Sequence, residues 1–193
     1  MDVLLQKAKS VFLDILFPPV CVACRRYLAP ASKTDDLCDR CTRSIRIETA
    51  LTCPVCRARL ATGVKTCHRR APYRLAAATD YGTDAVRDLI WQLKYNRVTA
   101  AARPLAQLLA QHLRATGINL AHFTVAPIPL HRRRERGRGF NQSELIAGEL
   151  AALLALPLAS DLLIRARHTK PQVGISDHAD RERPTSVGSC LRP

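Results

Sequence analysis

Cysteine pairs at one repeated spacing carry the strongest chemistry in this chain: Cys21-x-x-Cys24, Cys38-x-x-Cys41 and Cys53-x-x-Cys56, followed by Cys67. A two-residue gap lets both thiolates of a tight turn face one tetrahedral ion, and two such turns joined by a short loop complete a four-sulfur shell. Cys21, Cys24, Cys38 and Cys41 therefore predict a structural zinc site rather than a disulfide framework. Cys53, Cys56 and Cys67 begin a second ribbon, but Arg70 stands where a matching pair would place its last cysteine. His68 is the nearby substitute as fourth ligand, and a vestigial ribbon is the alternative.

The second concentration of chemistry is His131-Arg-Arg-Arg-Glu-Arg-Gly-Arg-Gly-Phe-Asn-Gln142. Gly137 and Gly139 let a backbone approach a ligand closely. Asn141 is placed to cap a following helix, with Glu144 three residues on. A basic, glycine-bearing loop at a helix start suits phosphate or pyrophosphate, because amides, helix dipole and guanidinium forks favour the same anion. A solvated arginine run or a nucleic-acid contact is the competing reading.

These residues need elements to position them. Leu4, Leu5, Ala8, Val11, Phe12, Ile15 and Leu16 fit one face of an amphipathic helix. Arg74 to Tyr81 reads as a short strand. Thr83 or Asp84 caps a helix with Val86, Leu89, Ile90 and Leu93 on one face. Pro104 suits the first turn of the next helix, whose stripe is Leu105, Leu108, Leu109, His112 and Leu113. Phe123 to Leu130 gives a β-rich run that its prolines confine to an edge or a loop. A last helix is predicted from about Gln142 to Leu156.

Composition narrows the class. The 193 residues hold 30 Lys plus Arg against 16 Asp plus Glu, a formal charge of +14 that attracts polyanions. Aromatic residues are few, and Phe140 alone adjoins the arginine run, so backbone contact with single-stranded DNA is expected over base recognition. The N-terminal segment carries Asp2, Lys7, Lys9 and Asp14 and no cleavage site, so no secretory signal is read. No stretch is apolar enough to span a bilayer. Thiolate ligands must stay reduced, which favours the cytoplasm. A small cysteine-rich piece cannot bury enough surface to fold unaided, and zinc is its staple.

Several motifs in order carry a resemblance: Phe17-Pro-Pro-x-Cys-x-x-Cys24, Leu89-Ile-Trp-Gln-Leu-Lys-Tyr95, Pro127-Ile-Pro-Leu-His-Arg-Arg-Arg-x-Arg-Gly-x-Gly-Phe-Asn-Gln142, and Arg165-x-Arg-x-Thr-x-Pro-Gln172. Together they resemble the ComF/GntX family of competence-related proteins, over residues 1 to about 183. The resemblance implies an α/β protein: an N-terminal zinc ribbon module followed by a doubly wound type I phosphoribosyltransferase-like domain, incomplete at its C-terminus. The implied domains are 1–70, an amphipathic helix plus double zinc ribbon, and 71–193. It further implies association with DNA uptake, a phosphoribosyl pyrophosphate-type ligand with Mg2+, and a DNA-uptake helicase-like partner. Ligand contacts carried over by position are Arg132, Arg133, Arg134, Arg136, Arg138, Gly139, Asn141 and Gln142 on the pyrophosphate side. Arg167, Thr169 and Gln172 follow in a hood. Lys94 and Tyr95 match the family's Leu-Lys-Tyr motif. A non-catalytic zinc-ribbon adaptor or DNA-binding protein is the alternative function.

The family continues into Val-Asp-Asp-x-x-Thr-Thr-Gly-x-Thr, which holds ribose, metal and 5′-phosphate, and this chain has no such segment. Transferase activity is therefore expected to be absent from the chain as it stands. Residues 184–193 have neither strand nor helix period and are expected to be disordered, with Cys190 an exposed thiol outside any metal site. A frameshift near residue 183 is the expected origin of this tail.

Overall fold

A computed structural model describes residues 18–28, 36–61, 67–68 and 73–165. The predicted N-terminal helix, the hood residues Arg167, Thr169 and Gln172, the segment 184–193 and Cys190 lie outside the described residues. The chain divides into two compact units, Met1–Asn119 and Leu120–Pro193.

The first unit opens with a six-residue turn, 21–26, flanked by an antiparallel bridge between Val20 and Tyr27. Helix α1, Asp39–Ser44, follows, and its Cys41 is buried. Strands β1 (Leu51–Thr52) and β2 (Arg59–Leu60) pair antiparallel, Leu51 opposite Leu60 and Thr52 opposite Arg59. The run predicted as a strand from Arg74 lies beside this hairpin. Thr52 and Leu75 exchange two backbone hydrogen bonds of 2.9 Å, and the Glu48 amide donates to the Ala78 carbonyl at 2.8 Å. Leu51, Cys53 and Leu60 form one small core against Ile118.

Helix α2 spans Asp84–Tyr95 and buries Val86, Leu89 and Leu93, the stripe its periodicity predicted. Thr83 is its cap residue, yet it caps through its backbone: its carbonyl accepts from Val86 and Arg87 while its side chain makes no capping bond. After a 3-10 turn, Thr99–Ala101, helix α3 runs Ala102–Ala115 with Pro104 buried in its first turn. Both helices reach the ribbon segment. Ala78, Val86 and Leu108 cluster with Ile45 and Ile47, and the buried His112 imidazole is hydrogen-bonded through Nδ1 to the Glu48 carbonyl. Burying His112 among apolar side chains is tolerated because that bond offsets part of the desolvation of the ring.

In the second unit the run 123–130 does not form a sheet strand. Its pairing is one parallel bridge between Val125 and Leu158, with Val125 donating to Pro157 and accepting from Ala159. Pro127 and Pro129 remove the donors that would extend that ladder. Among the described residues the only sheet is the two-stranded hairpin of the first unit, so no doubly wound sheet is seen there. Helix α4, Arg132–Arg138, occupies the segment predicted as a loop, and helix α5 follows at Gln142–Leu154.

Candidate functional site

Each metal-ligand cluster starts from the same turn. In the first, the Cys21 amide donates to the Arg26 carbonyl at 2.7 Å and the Arg25 amide to the Cys21 carbonyl at 2.8 Å. In the second, Cys53 donates to Ala58 at 2.9 Å and Arg57 to Cys53 at 3.0 Å. The residue after the second cysteine closes the turn in the left-handed region, Arg25 at φ 60° and Arg57 at φ 61°. Such a φ costs an L-residue roughly 1–2 kcal/mol, so both turns hold it against local preference. The position just after each C-x-x-C pair is the sequence signal for this role.

The first cluster is completed by a helical turn. Cys38 caps α1 and Cys41 lies one turn along it, so both sulfurs fall on the side facing Cys21 and Cys24. All four sulfurs lie within 4.8 Å of one another. A tetrahedron with Zn–S bonds of about 2.3 Å has edges of about 3.8 Å, and the Cys24–Cys38 separation is 3.7 Å. The Cys38 amide also donates to the Cys21 sulfur, 3.4 Å away.

The second cluster is completed by neighbours in sequence. Cys53, Cys56, Cys67 and His68 again present donor atoms within 4.8 Å of one another. The histidine contributes Nδ1, 3.5 Å from the Cys53 sulfur and 3.2 Å from that of Cys67, while Cys56 and Cys67 sulfurs are 3.4 Å apart. Nδ1 lies nearer the backbone than Nε2, so an adjacent Cys-His pair can turn both donors to one point. Cys53 is buried, but Cys56, Cys67 and His68 are exposed.

The electrostatics of the thiols fit cation binding. The Cys41 amide, hydrogen-bonded to the Cys38 sulfur, lowers that thiol to about 7, and the Cys56 amide lowers Cys53 to about 6. Burial, with the sulfurs of Cys24 and Cys38, raises Cys41. Contacts with the Cys53 and Cys56 sulfurs raise Cys67. Each cluster thus pairs a sulfur that ionises readily, Cys38 or Cys53, with one, Cys41 or Cys67, that needs a cation before losing its proton. Cysteine-rich, tetrahedral donor sets of this size suit structural zinc, and both sets fit it.

The arginine run is organised differently from a phosphate-cradling loop. His131 caps α4 by accepting from the Arg133 amide through Nδ1, and Gly139 ends the helix at φ 88°. Gly139 is therefore a helix terminator in the left-handed conformation that glycine best adopts. At about 100° per residue, Arg132, Arg133 and Arg136 share one side, and all three are exposed. Arg134 and Arg138 turn the other way and are half-buried, and Arg138 donates to the Gln142 side chain at 2.7 Å. Asn141 is buried and structural in its contacts: Oδ1 accepts from Ser143 to cap α5, while Nδ2 donates to the Ile128 carbonyl.

Residues 12–69 match the double zinc ribbon domain. The chain is 35% identical over 168 residues to DNA utilization protein YhgH of Salmonella typhimurium, covering 82% of this chain and 72% of that protein. It is 33% identical over 170 residues to the protein of the same name from Escherichia coli K12, covering 80% and 70%. Competence protein F of Haemophilus influenzae is 30% identical over 93 residues, 46% of this chain and 40% of that protein. No solved structure matches. Among the described residues, no helix is long and apolar enough to cross a membrane.

Proposed function

Because the chain belongs to the ComF/GntX family, we propose that it serves in DNA uptake or utilization as a zinc-ribbon protein that contacts the DNA backbone. The observation that carries this reading is the exposed side of α4, where Arg132, Arg133 and Arg136 present guanidinium groups together. Phosphate contacts of this kind position a strand without reading its sequence. A formal charge of +14 adds attraction at longer range. The ribbons supply a metal-stapled frame, and the relatives named for DNA utilization and competence supply the context. A helicase-like protein that translocates the same strand is the partner this role calls for, and the cytoplasm is where its thiolate ligands would stay reduced.

The test is binding of single-stranded oligonucleotide to the zinc-loaded chain across a salt series. Log affinity should fall linearly with log salt, and Arg132→Ala/Arg133→Ala/Arg136→Ala should reduce the slope by about 2, at about 0.7 per phosphate contact. An unchanged slope would remove α4 from the interface.

A second reading assigns the α4–α5 junction to phosphoribosyl pyrophosphate with Mg2+, within a phosphoribosyltransferase-like domain spanning 71–193. It is favoured by Gly139, where an added Cβ would meet nothing within 4 Å, beside Arg138, Gln142 and the start of α5. Under it the residues of α4, with Asn141, Arg167, Thr169 and Gln172, surround the ligand. Saturable, magnesium-dependent heat of binding, lost in Arg138→Ala, is its expected signature.

A further inference from the structure

We propose that a cavity between the second ribbon's hairpin and the end of α3 binds a small organic phosphate of nucleoside monophosphate size. It lies wholly within the first unit and uses no residue of α4, so it stands independently of the DNA-binding reading. Helix α3 ends at Ala115, and Thr116 closes its last turn, its amide donating to the His112 carbonyl and its hydroxyl to the Leu113 carbonyl. Gly117 then turns the chain at φ 66°, which glycine adopts without strain, and Ile118 packs on Leu51 and Leu60. Beside this contact lies a cavity of about 350 Å³, lined by Thr49, Leu51, Leu60, Arg74, Thr116 and Ile118 among others.

The lining decides the ligand. Among the described residues Arg74 is the one charged side chain on the wall, and it makes no hydrogen bond or ion pair with them. No carboxylate lines the cavity, and Glu48, next to Thr49, is paired with Arg59 at 2.8 Å. An uncommitted guanidinium on a cavity wall calls for an anion, and its fork matches the oxygens of phosphate or carboxylate. The chain's formal charge of +14 favours the phosphate monoester, which carries close to two charges near neutral pH against one for a carboxylate. The volume falls at the low end of small-molecule pockets, about 300–1,000 Å³, and Leu51, Leu60 and Ile118 offer an apolar wall to a planar body that free phosphate lacks. The Thr49 hydroxyl, and the lone pairs left on that of Thr116, suit a sugar. Because the apolar wall is also the core of the hairpin, an occupied cavity stabilises the second ribbon by mass action.

The test is calorimetric titration of the full zinc-loaded chain with deoxyadenosine 5′-monophosphate in magnesium-free buffer, with deoxyadenosine and inorganic phosphate titrated beside it. The nucleotide should bind saturably and each of its halves far more weakly. Arg74→Gln should weaken nucleotide binding roughly 10- to 150-fold, the loss of one charge-assisted hydrogen bond. Zinc content and thermal midpoint should be unchanged in that variant, which separates a lost ligand contact from a fault in folding. Ala61→Phe, filling the cavity from an exposed position on its wall, should abolish binding. Amide protection at Leu51 and Leu60 should rise as nucleotide is added. Undiminished binding in Arg74→Gln, or binding that leaves that protection unchanged, would overturn the assignment. Equal affinity for inorganic phosphate would also overturn it, since the apolar wall would then be idle, and so would a response that requires magnesium. Absence of binding at millimolar nucleotide would overturn it outright.

Discussion

The two ribbons begin alike and end differently. Both open with a bridged six-residue turn whose fifth residue is an arginine in the left-handed region. The first then recruits Cys38 and Cys41 from a helical turn, and its described buried apolar side chains besides cysteine are few, Ala23 and Leu28. The second recruits the exposed neighbours Cys67 and His68, yet its hairpin packs Leu51 and Leu60 against Ile118. Metal and apolar core are therefore alternative means of holding the same turn. The first ribbon depends on its ion, whereas the second shares the task with hydrophobic contacts.

Removing one ligand from each ribbon should separate these cases by the largest effect. Structural zinc supplies roughly 10–16 kcal/mol of apparent binding free energy, and the first ribbon has little else. Cys41→Ser should release one zinc and unfold residues 21–28 and 36–44, seen by mass spectrometry and loss of amide protection there. His68→Ala should release the other zinc while protection at Leu51 and Leu60 persists. Equal unfolding in the two variants would break the comparison. In the same sense, a mild chelator should extract zinc first from the cluster that has three exposed ligands.

The apolar share of the second ribbon is next in size. Leu60→Ala should cost about 2–5 kcal/mol, as for other buried leucines, and should weaken zinc retention at Cys53, Cys56, Cys67 and His68 more than at the first cluster. Acidity should act on both. Cys38 at about 7 and Cys53 at about 6 stay ionised further down in pH than an ordinary thiol, whereas Cys41 and Cys67 are raised and must give up protons to bind zinc. Zinc uptake should therefore release protons near neutrality, and affinity should fall as pH falls. Calorimetry in buffers of different ionisation heat measures that release, and a value of zero would contradict the thiol assignment.

What the sequence disclosed follows the same physical line. Cysteine spacing is local chemistry, so the first cluster is legible from four positions, as are the apolar stripes of α2 and α3. The second cluster is half legible, because the choice of Nδ1 that lets His68 share a point with Cys67 depends on loop geometry. The arginine segment reads as a loop on account of Gly137 and Gly139. It forms a helix because arginine is a good helix former, His131 caps it, and Gly139 serves as its stop. The run 123–130 has strand composition, but pairing partners are a tertiary matter, and its prolines leave one bridge.

The smallest effect tests whether the two turns are the same object. A left-handed arginine costs roughly 1–2 kcal/mol, and glycine would relieve it while losing about 0.5–1 kcal/mol of backbone entropy on folding. Arg25→Gly and Arg57→Gly should therefore each stabilise the zinc-loaded chain by no more than about 1.5 kcal/mol, and by similar amounts, since φ is 60° at one and 61° at the other. Denaturant midpoints of the two variants give the comparison. If Arg57→Gly gains nothing while Arg25→Gly gains its share, the exposed ribbon relaxes its turn in solution. Its hydrophobic hairpin, rather than its metal, would then carry the fold on that side.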